Sequence, residues 1–226
     1  MKRPRGQRST YRPLVRILFL CTGNLCRSPL AERLALSWVR DSLRDSPEYA
    51  AVEISSAGLE APIDRPMDAR SAEALIHLGG NPQGFRSRIF ERWMAEDADL
   101  VLTMSRHQRR KVLEKSPKGL RRTFTLLEAA GLLGHANVTG LNLLPLDQRA
   151  RELGLRLDAA RRLRPTEKTD DVLDPIGRSA AVHREVAETI AGALRPLADV
   201  LFTSVRPGPA VPAEDDRPAR PRQPAA

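Results

Sequence analysis

Residues Leu20 to Pro29 read Leu-Cys-Thr-Gly-Asn-Leu-Cys-Arg-Ser-Pro. Cys21 is followed six positions later by Arg27, across a short segment containing Gly23 and Asn24. A thiol with an ordinary pKa of about 8.5 is mostly protonated at neutral pH. At a helix N-terminus, orphan backbone N–H groups and the helix dipole favour the thiolate, and Arg27 adds a fixed positive charge. The same field favours a phosphate dianion held in a nest of amides. Gly23 and Asn24 are residue types that tolerate the left-handed backbone such a nest requires. Ser28 is placed to cap the following helix, and Pro29 suits its first turn. The planar fork of Arg27 can grip two phosphate oxygens. Thr22, Gly23, Asn24, Leu25, Cys26 and Ser28 are therefore the expected phosphate-binding residues around Cys21 and Arg27.

The chemistry that follows is in-line attack of sulfur on phosphorus, giving a phosphocysteine that water hydrolyses. Arg27 and the amides neutralise the equatorial oxygens, so the step calls for no metal and no cofactor. The departing oxygen needs a proton, which a carboxylic acid on another loop would supply. The candidate is Asp174, in Asp170-Asp171-Val172-Leu173-Asp174-Pro175, where Pro175 fixes the direction of the loop. Asp170 and Asp171 compete for the role. A bland reading stands beside each of these: a cysteine is often a buried small hydrophobe, and Asp-Pro is an ordinary turn dipeptide. A strand before Cys21, Gly-Asn inside the loop and Ser-Pro after it lift the pattern well above chance. The four histidines, His77, His107, His135 and His183, show no metal-ligand spacing; His183 lies beside an apolar stripe and reads as a surface or packing residue.

The elements that must position this loop alternate along the chain. Val15 to Leu20, apolar but for Arg16, reads as a strand buried on both faces. Pro29 to Arg44 is a helix, with Leu30, Leu34 and Trp38 at four-residue steps. Val52 to Ser56 is a short strand ended by Ala57-Gly58, and Asp68 to Leu78 a helix closed by Gly79-Gly80. Ile89 to Glu96 is a short helix, Ala98 to Met104 a buried strand, Ser105 to Lys115 a helix, and Thr123 to Leu127 the last strand. Val182, Val186, Ile190, Leu194, Leu197 and Leu201 form the stripe of a closing helix that Pro196 should kink or shorten. The fold class expected is α/β: a doubly wound, flavodoxin-like four-stranded parallel sheet with helices on both faces and the phosphate loop after the first strand. Residues 1–13 read as a basic disordered arm, 14–203 as the catalytic domain with a helical insertion at about 139–168, and 204–226 as a Pro/Arg-rich disordered tail.

Composition sets the compartment and the partners. The chain has 226 residues and a net charge of +9, which favours acidic partners. No basic patch interleaved with aromatics supports a nucleic-acid partner; arginine-rich solvated faces explain the charge more simply. The two cysteines both lie in the loop, so there is no structural disulfide framework, and the expected compartment is the cytoplasm. Arg16 breaks the early apolar run, leaving it too short for a signal peptide, and no segment approaches membrane-spanning length. No feature specifies an oligomeric state.

Leu18 to Pro29, Leu-Phe-Leu-Cys-Thr-Gly-Asn-Leu-Cys-Arg-Ser-Pro, resembles the signature of the low-molecular-weight protein tyrosine phosphatases of bacterial type, and Ala31-Glu32 continues it. Ser55-Ser56-Ala57-Gly58 resembles that family's second-strand motif, and Asp99 to Met104 its third strand. Arg86-Ser87-Arg88 falls at its basic segment and Asp174-Pro175 at its general acid. The resemblance implies Cys21 as nucleophile, Arg27 as phosphate clamp, Asp174 as acid then base, and hydrogen-bonding roles for Asn24 and Ser28 within the loop. It also implies a reversible Cys21–Cys26 disulfide under oxidation; a packed small residue is the equal alternative for Cys26. Where eukaryotic members carry two tyrosines this chain has Ile176-Gly177, so Leu59, Ile63 or Ile176 would have to wall the cleft.

The function so implied is hydrolysis of phosphotyrosine-like monoesters, in a phosphorylated protein or a small phosphomonoester. Three alternatives follow it. An arsenate reductase of the same fold would need an external thiol, since no further cysteine is present to relay electrons. A phosphoarginine phosphatase of the family would carry threonine where this chain has Leu25. A non-catalytic phosphate-binding protein would not be expected to keep Cys21, Arg27 and Asp174 together.

Overall fold

Strands β1 (Val15–Cys21), β2 (Val52–Gly58), β3 (Leu100–Thr103) and β4 (Thr123–Thr125) pair in the order β2-β1-β3-β4, all parallel. The structure is a computed structural model that describes residues 15–164 and 170–203. The expected basic arm, Leu14, the tail and the 165–168 end of the expected insertion lie outside these residues. The chain leaves β1 toward one edge and returns to its other side at β3. The switch point therefore falls at the carboxyl end of β1, where Cys21 sits.

All of β1 is buried, and its side chains alternate between two cores. Val15, Ile17, Phe19 and Cys21 join the larger core. That core is filled from α1 (Arg27–Leu43), α2 (Ala69–His77), α5 (Leu126–Leu133), α6 (Leu146–Ala160) and α7 (Ala180–Phe202). Leu18 and Leu20 face the smaller core, closed by Ala95 of α3 (Arg92–Asp97) and Val112 of α4 (Arg106–Lys115). Helices thus cover both faces of the sheet. Among the described residues no helix is long and apolar enough to cross a membrane.

Several boundaries differ from the expected ones. The last strand stops at Thr125, because Thr125 caps α5 in a capping box with Glu128. Ile89 bridges to Gly58 rather than starting α3. Helix α7 runs through Pro196 to Phe202. An interior proline costs about 3 kcal/mol, whereas each leucine buried on that stripe returns about 1.5–3 kcal/mol; Leu194, Leu197 and Leu201 flank the proline and are all buried. Within the region read as an insertion, α6 sends Leu146, Ala150, Leu153 and Leu157 into the main core. Its Arg149 donates to the carbonyls of Leu201 (2.8 Å) and Thr203 (3.0 Å), closing the end of α7.

Candidate active site

The sulfur of Cys21 lies at the junction of β1 and α1. Asn24 adopts φ 50° and is fully buried, so its backbone turns left-handed and carries its N–H back to the sulfur at 3.2 Å. Ser28 Oγ lies 2.9 Å from the same sulfur. Asn24 Nδ2 donates to Ser28 Oγ at 3.0 Å, and the nearest carbonyl, that of Ala57, is 3.4 Å away. When Cys21 is a thiolate, the shorter Ser28 contact is the one its hydrogen can make to charge, so Ser28 Oγ and Asn24 N then both donate to the sulfur. Ser28 was expected to cap α1. Instead α1 begins at Arg27, with Cys26 at the N-cap position and no side-chain cap.

Asn24 is the hub of the loop. Its Nδ2 also donates to Ser56 Oγ (2.8 Å), and its Oδ1 accepts from Arg88 N (3.0 Å). Ser56 Oγ in turn donates to Glu32 Oε2 (2.5 Å), and Arg88 Nε donates to Ser56 O (2.7 Å). Burial raises the pKa of the Glu32 carboxyl above its ordinary range, opposed by the Ser56 hydrogen bond and by Arg33 and Arg88. Loop carbonyls are tied outside the loop: Leu59 N bonds Cys21 O, Glu60 N bonds Thr22 O, and Asp68 N bonds Leu25 O. Gly58 passes so close that a Cβ there would sit 2.6 Å from Thr22 O and 2.9 Å from Asn24 N. Gln108 Nε2 holds Thr22 Oγ1 at 3.1 Å.

Arg27 is buried. Its Nη1 donates to Val172 O (3.1 Å) and its Nη2 to Asp174 Oδ2 (2.5 Å). Its Nε is buried with no partner among the described residues. Asp174 is half-exposed, and its Oδ1 accepts from Ile176 N at 3.3 Å. The two competing aspartates are engaged elsewhere. Asp170 is buried in a bidentate pair with Arg164 (2.7 and 3.2 Å), and Asp171 Oδ1 accepts from Arg106 N (2.7 Å). Together with the bond from Val172 N to Met104 O, these contacts pin the segment so that Asp174 alone of the three meets Arg27.

Cys21, Thr22, Gly23, Leu25, Cys26, Arg27, Asp174 and Ile176 line a cavity of about 170 Å³. Asn24 and Ser28 brace it from the interior. Ile176 and Leu25 supply its aliphatic wall; Leu59 and Ile63 do not line it. A cavity of about 190 Å³ near α4 and α5 contains four arginines, but Arg161 is paired there with Glu128 and Arg164 with Asp170, and it has no nucleophile. Both cysteines are free thiols. The Cys26 thiol is pushed up to about 12, first by burial and then by the charges of Asp68, Cys21 and Asp174, against a Ser71 hydrogen bond. Asp68 and Gln108 were missed in the sequence. Asp68 carried a signal, being a helix N-cap, but Gln108 carried none, since it reaches Thr22 across the sheet.

A parallel α/β sheet whose switch-point loop sets a cysteine thiol beside an arginine and an aspartate is the architecture in hand. The sequence profile of the low molecular weight phosphotyrosine protein phosphatases matches residues 16–138, and the chain belongs to that family. It is 36% identical over 88 residues to the low molecular weight protein-tyrosine-phosphatase Etp of Escherichia coli, an alignment covering 39% of this chain and 53% of that protein. The chain thus spans about half the length of that relative. It is 32% identical over 117 residues to a protein-arginine-phosphatase of Geobacillus stearothermophilus, covering 49% of this chain and 68% of that one. The low molecular weight protein tyrosine phosphatase of T. tengcongensis superposes with a TM-score of 0.59 at 26% identity, over 82% of this chain and 98% of that one.

Proposed function

We propose that this protein is a metal-independent phosphatase that hydrolyses phosphotyrosine-like monoesters through a phosphocysteine on Cys21. The observation that carries the reading is the Cys21 sulfur, held by Asn24 N and Ser28 Oγ in a cavity that Arg27 and Asp174 also line. The substrate phosphate displaces Asp174 from the guanidinium, and Arg27 then spans two equatorial oxygens. Displaced from Arg27, Asp174 takes up a proton from solvent and, as sulfur attacks, gives it to the leaving oxygen. In the second half it takes a proton from the water that hydrolyses the phosphocysteine. Thr22, Gly23, Asn24, Leu25, Cys26 and Ser28 complete the phosphate cradle. Leu25 and Ile176 favour an aryl group over a polar phosphoguanidine. The similarity to arginine phosphatases makes phosphoarginine the second substrate class to test. With its nucleophile a free thiol, the protein is assigned to a reducing compartment, the cytoplasm.

The test is a panel of phosphotyrosine, phosphoserine and phosphoarginine peptides, with arsenate plus a small thiol as a further arm, at neutral pH with a chelator. The expected result is turnover of phosphotyrosine above the others, abolished in Cys21→Ser with phosphate binding retained. Undiminished turnover by Cys21→Ser refutes the mechanism; preference for phosphoarginine or arsenate refutes the substrate class.

A further inference from the structure

Beside the anion loop, three elements bring together Cys26 at the N-cap of α1, Asp68 at the N-cap of α2, and His183 in the first turn of α7. One ligand atom from each lies within 4.8 Å of the other two. His183 Nδ1 is 3.4 Å from Asp68 Oδ1 and 2.9 Å from Ser71 Oγ. Cys26 and His183 are buried, at 5% and 1% exposure. The other ring nitrogen of His183, Nε2, is buried without a partner among the described residues. Nε2 points away from the cluster, so Nδ1 is the ring nitrogen that faces Asp68 and Ser71.

Thiolate, imidazole and carboxylate form the donor set of a zinc-type ion, and alkaline-earth ions would reject the sulfur. The carboxylate is already oriented, because Asp68 Oδ1 accepts the backbone N–H groups of Arg70 and Ser71 at 3.0 Å each. A tetrahedral zinc centre needs its ligand atoms roughly 3.3–3.8 Å apart, so no pair in the cluster must close by more than about 1.5 Å. We propose that Cys26 Sγ, His183 Nδ1 and Asp68 bind one zinc-type divalent ion, with Ser71 Oγ or a water as fourth ligand. As the sulfur–metal bond forms, the Cys26 thiol proton leaves to solvent and the ion's charge balances the thiolate. The ion ties α7 to the residue that precedes Arg27. It is distinct from the catalytic step, which uses no metal, and the inference stands whether or not the protein is a phosphatase.

The catalytic thiol is the obvious competitor for a soft metal, so the test removes it. In the untagged full chain carrying Cys21→Ser, Cys26 is the one remaining thiol. Co²⁺, added to the folded chain and also during refolding, should give a sulfur-to-cobalt charge-transfer band that saturates at one equivalent. X-ray absorption of the same chain loaded with Zn²⁺ should show one sulfur at about 2.3 Å and imidazole nitrogen at about 2.0–2.1 Å. Loading should raise the thermal midpoint, and His183→Gln should weaken binding roughly tenfold or more. The X-ray measurement needs no change at a buried position, so a His183 variant that fails to fold leaves the test intact. A metal sphere without sulfur, a sulfur-bound ion without imidazole, or binding by the wild type that vanishes in Cys21→Ser each overturns the proposal.

Discussion

Asp174→Asn separates the proton donation proposed for Asp174 from its other contacts. The amide keeps the size of the carboxylate and an oxygen for the Nη2 of Arg27, but it cannot give up a proton to a leaving group. The structural cost is small. The Asp174 side chain is 46% exposed, so its pair with Arg27 is screened by solvent and contributes about 0–1 kcal/mol. Arg27 also retains its bond to Val172 O. The catalytic cost is larger: general acid catalysis contributes about 10²–10⁴-fold. An aryl phosphate whose phenolate departs without help should lose far less than one with a poor leaving group. The assay is kcat across a series of aryl phosphates of graded leaving-group acidity, for wild type and variant, with urea unfolding of both. The expected outcome is a steeper dependence on leaving-group acidity in Asp174→Asn, with stability within about 1 kcal/mol of wild type. Asp171→Asn, which changes only the contact with Arg106, should leave that dependence alone. Equal losses across the series, or the same steepening in Asp171→Asn, would refute the assignment.

Other perturbations probe the walls of the loop. Gly58→Ala places a methyl group 2.6 Å from Thr22 O, so the loop must shift; unfolding measurements should show a loss of about 1–3 kcal/mol, and phosphate affinity should fall with it. Ser28→Ala removes a donor from the sulfur; a hydrogen bond to a charged group is worth about 1.5–3 kcal/mol, so kcat should drop roughly ten- to a hundredfold while the fold persists. Glu32 is buried and its carboxyl is raised, so its contribution to stability is full below the ordinary value of 4.5 and is lost as pH rises through the folded value. Glu32→Gln should therefore gain stability relative to wild type as pH rises above 4.5, read by urea unfolding at a series of pH values; a constant difference across that range would contradict the burial argument.

What could be read from the sequence was what a local pattern encodes. The run Val15 to Leu20 announced a strand covered on both faces, and Gly-Asn between Cys21 and Arg27 announced a turn with a left-handed residue; Asn24 is that residue. The start of α5 was equally legible in Thr125-Leu-Leu-Glu128 but was absorbed into the strand, because two leucines after Thr-Phe-Thr fit either period. Other features depend on contacts distant in sequence and have no local signature. Gln108 reaches Thr22 over 86 positions, and His183 reaches Ser71 over 112. A helix N-cap at Asp68 could be inferred, but not that its backbone N–H would bond the Leu25 carbonyl of the anion loop.

The basic charge shows most plainly how composition and structure part company. A net charge of +9 invites a search for an anionic partner. Yet many arginines are consumed internally. Arg149 is buried and spreads its fork over the carbonyls of Asn142, Leu144, Leu201 and Thr203. Arg161 bonds the carbonyls of Leu120 and Thr123, pairs with Glu128 and Asp158, and lies 4.2 Å from the Phe124 ring centroid. Arg88 braces Ser56, and Arg164 braces Asp170. Helix ends and loops leave carbonyls that must find donors, and a guanidinium carries five in a rigid fork. In a chain with few aromatics, whose hydroxyl and indole donors often serve this purpose, arginine takes over the capping. The counted charge therefore overstates the charge available to a partner. The cation on which the proposed mechanism turns is Arg27, the first residue of α1, whose Nε has no partner among the described residues.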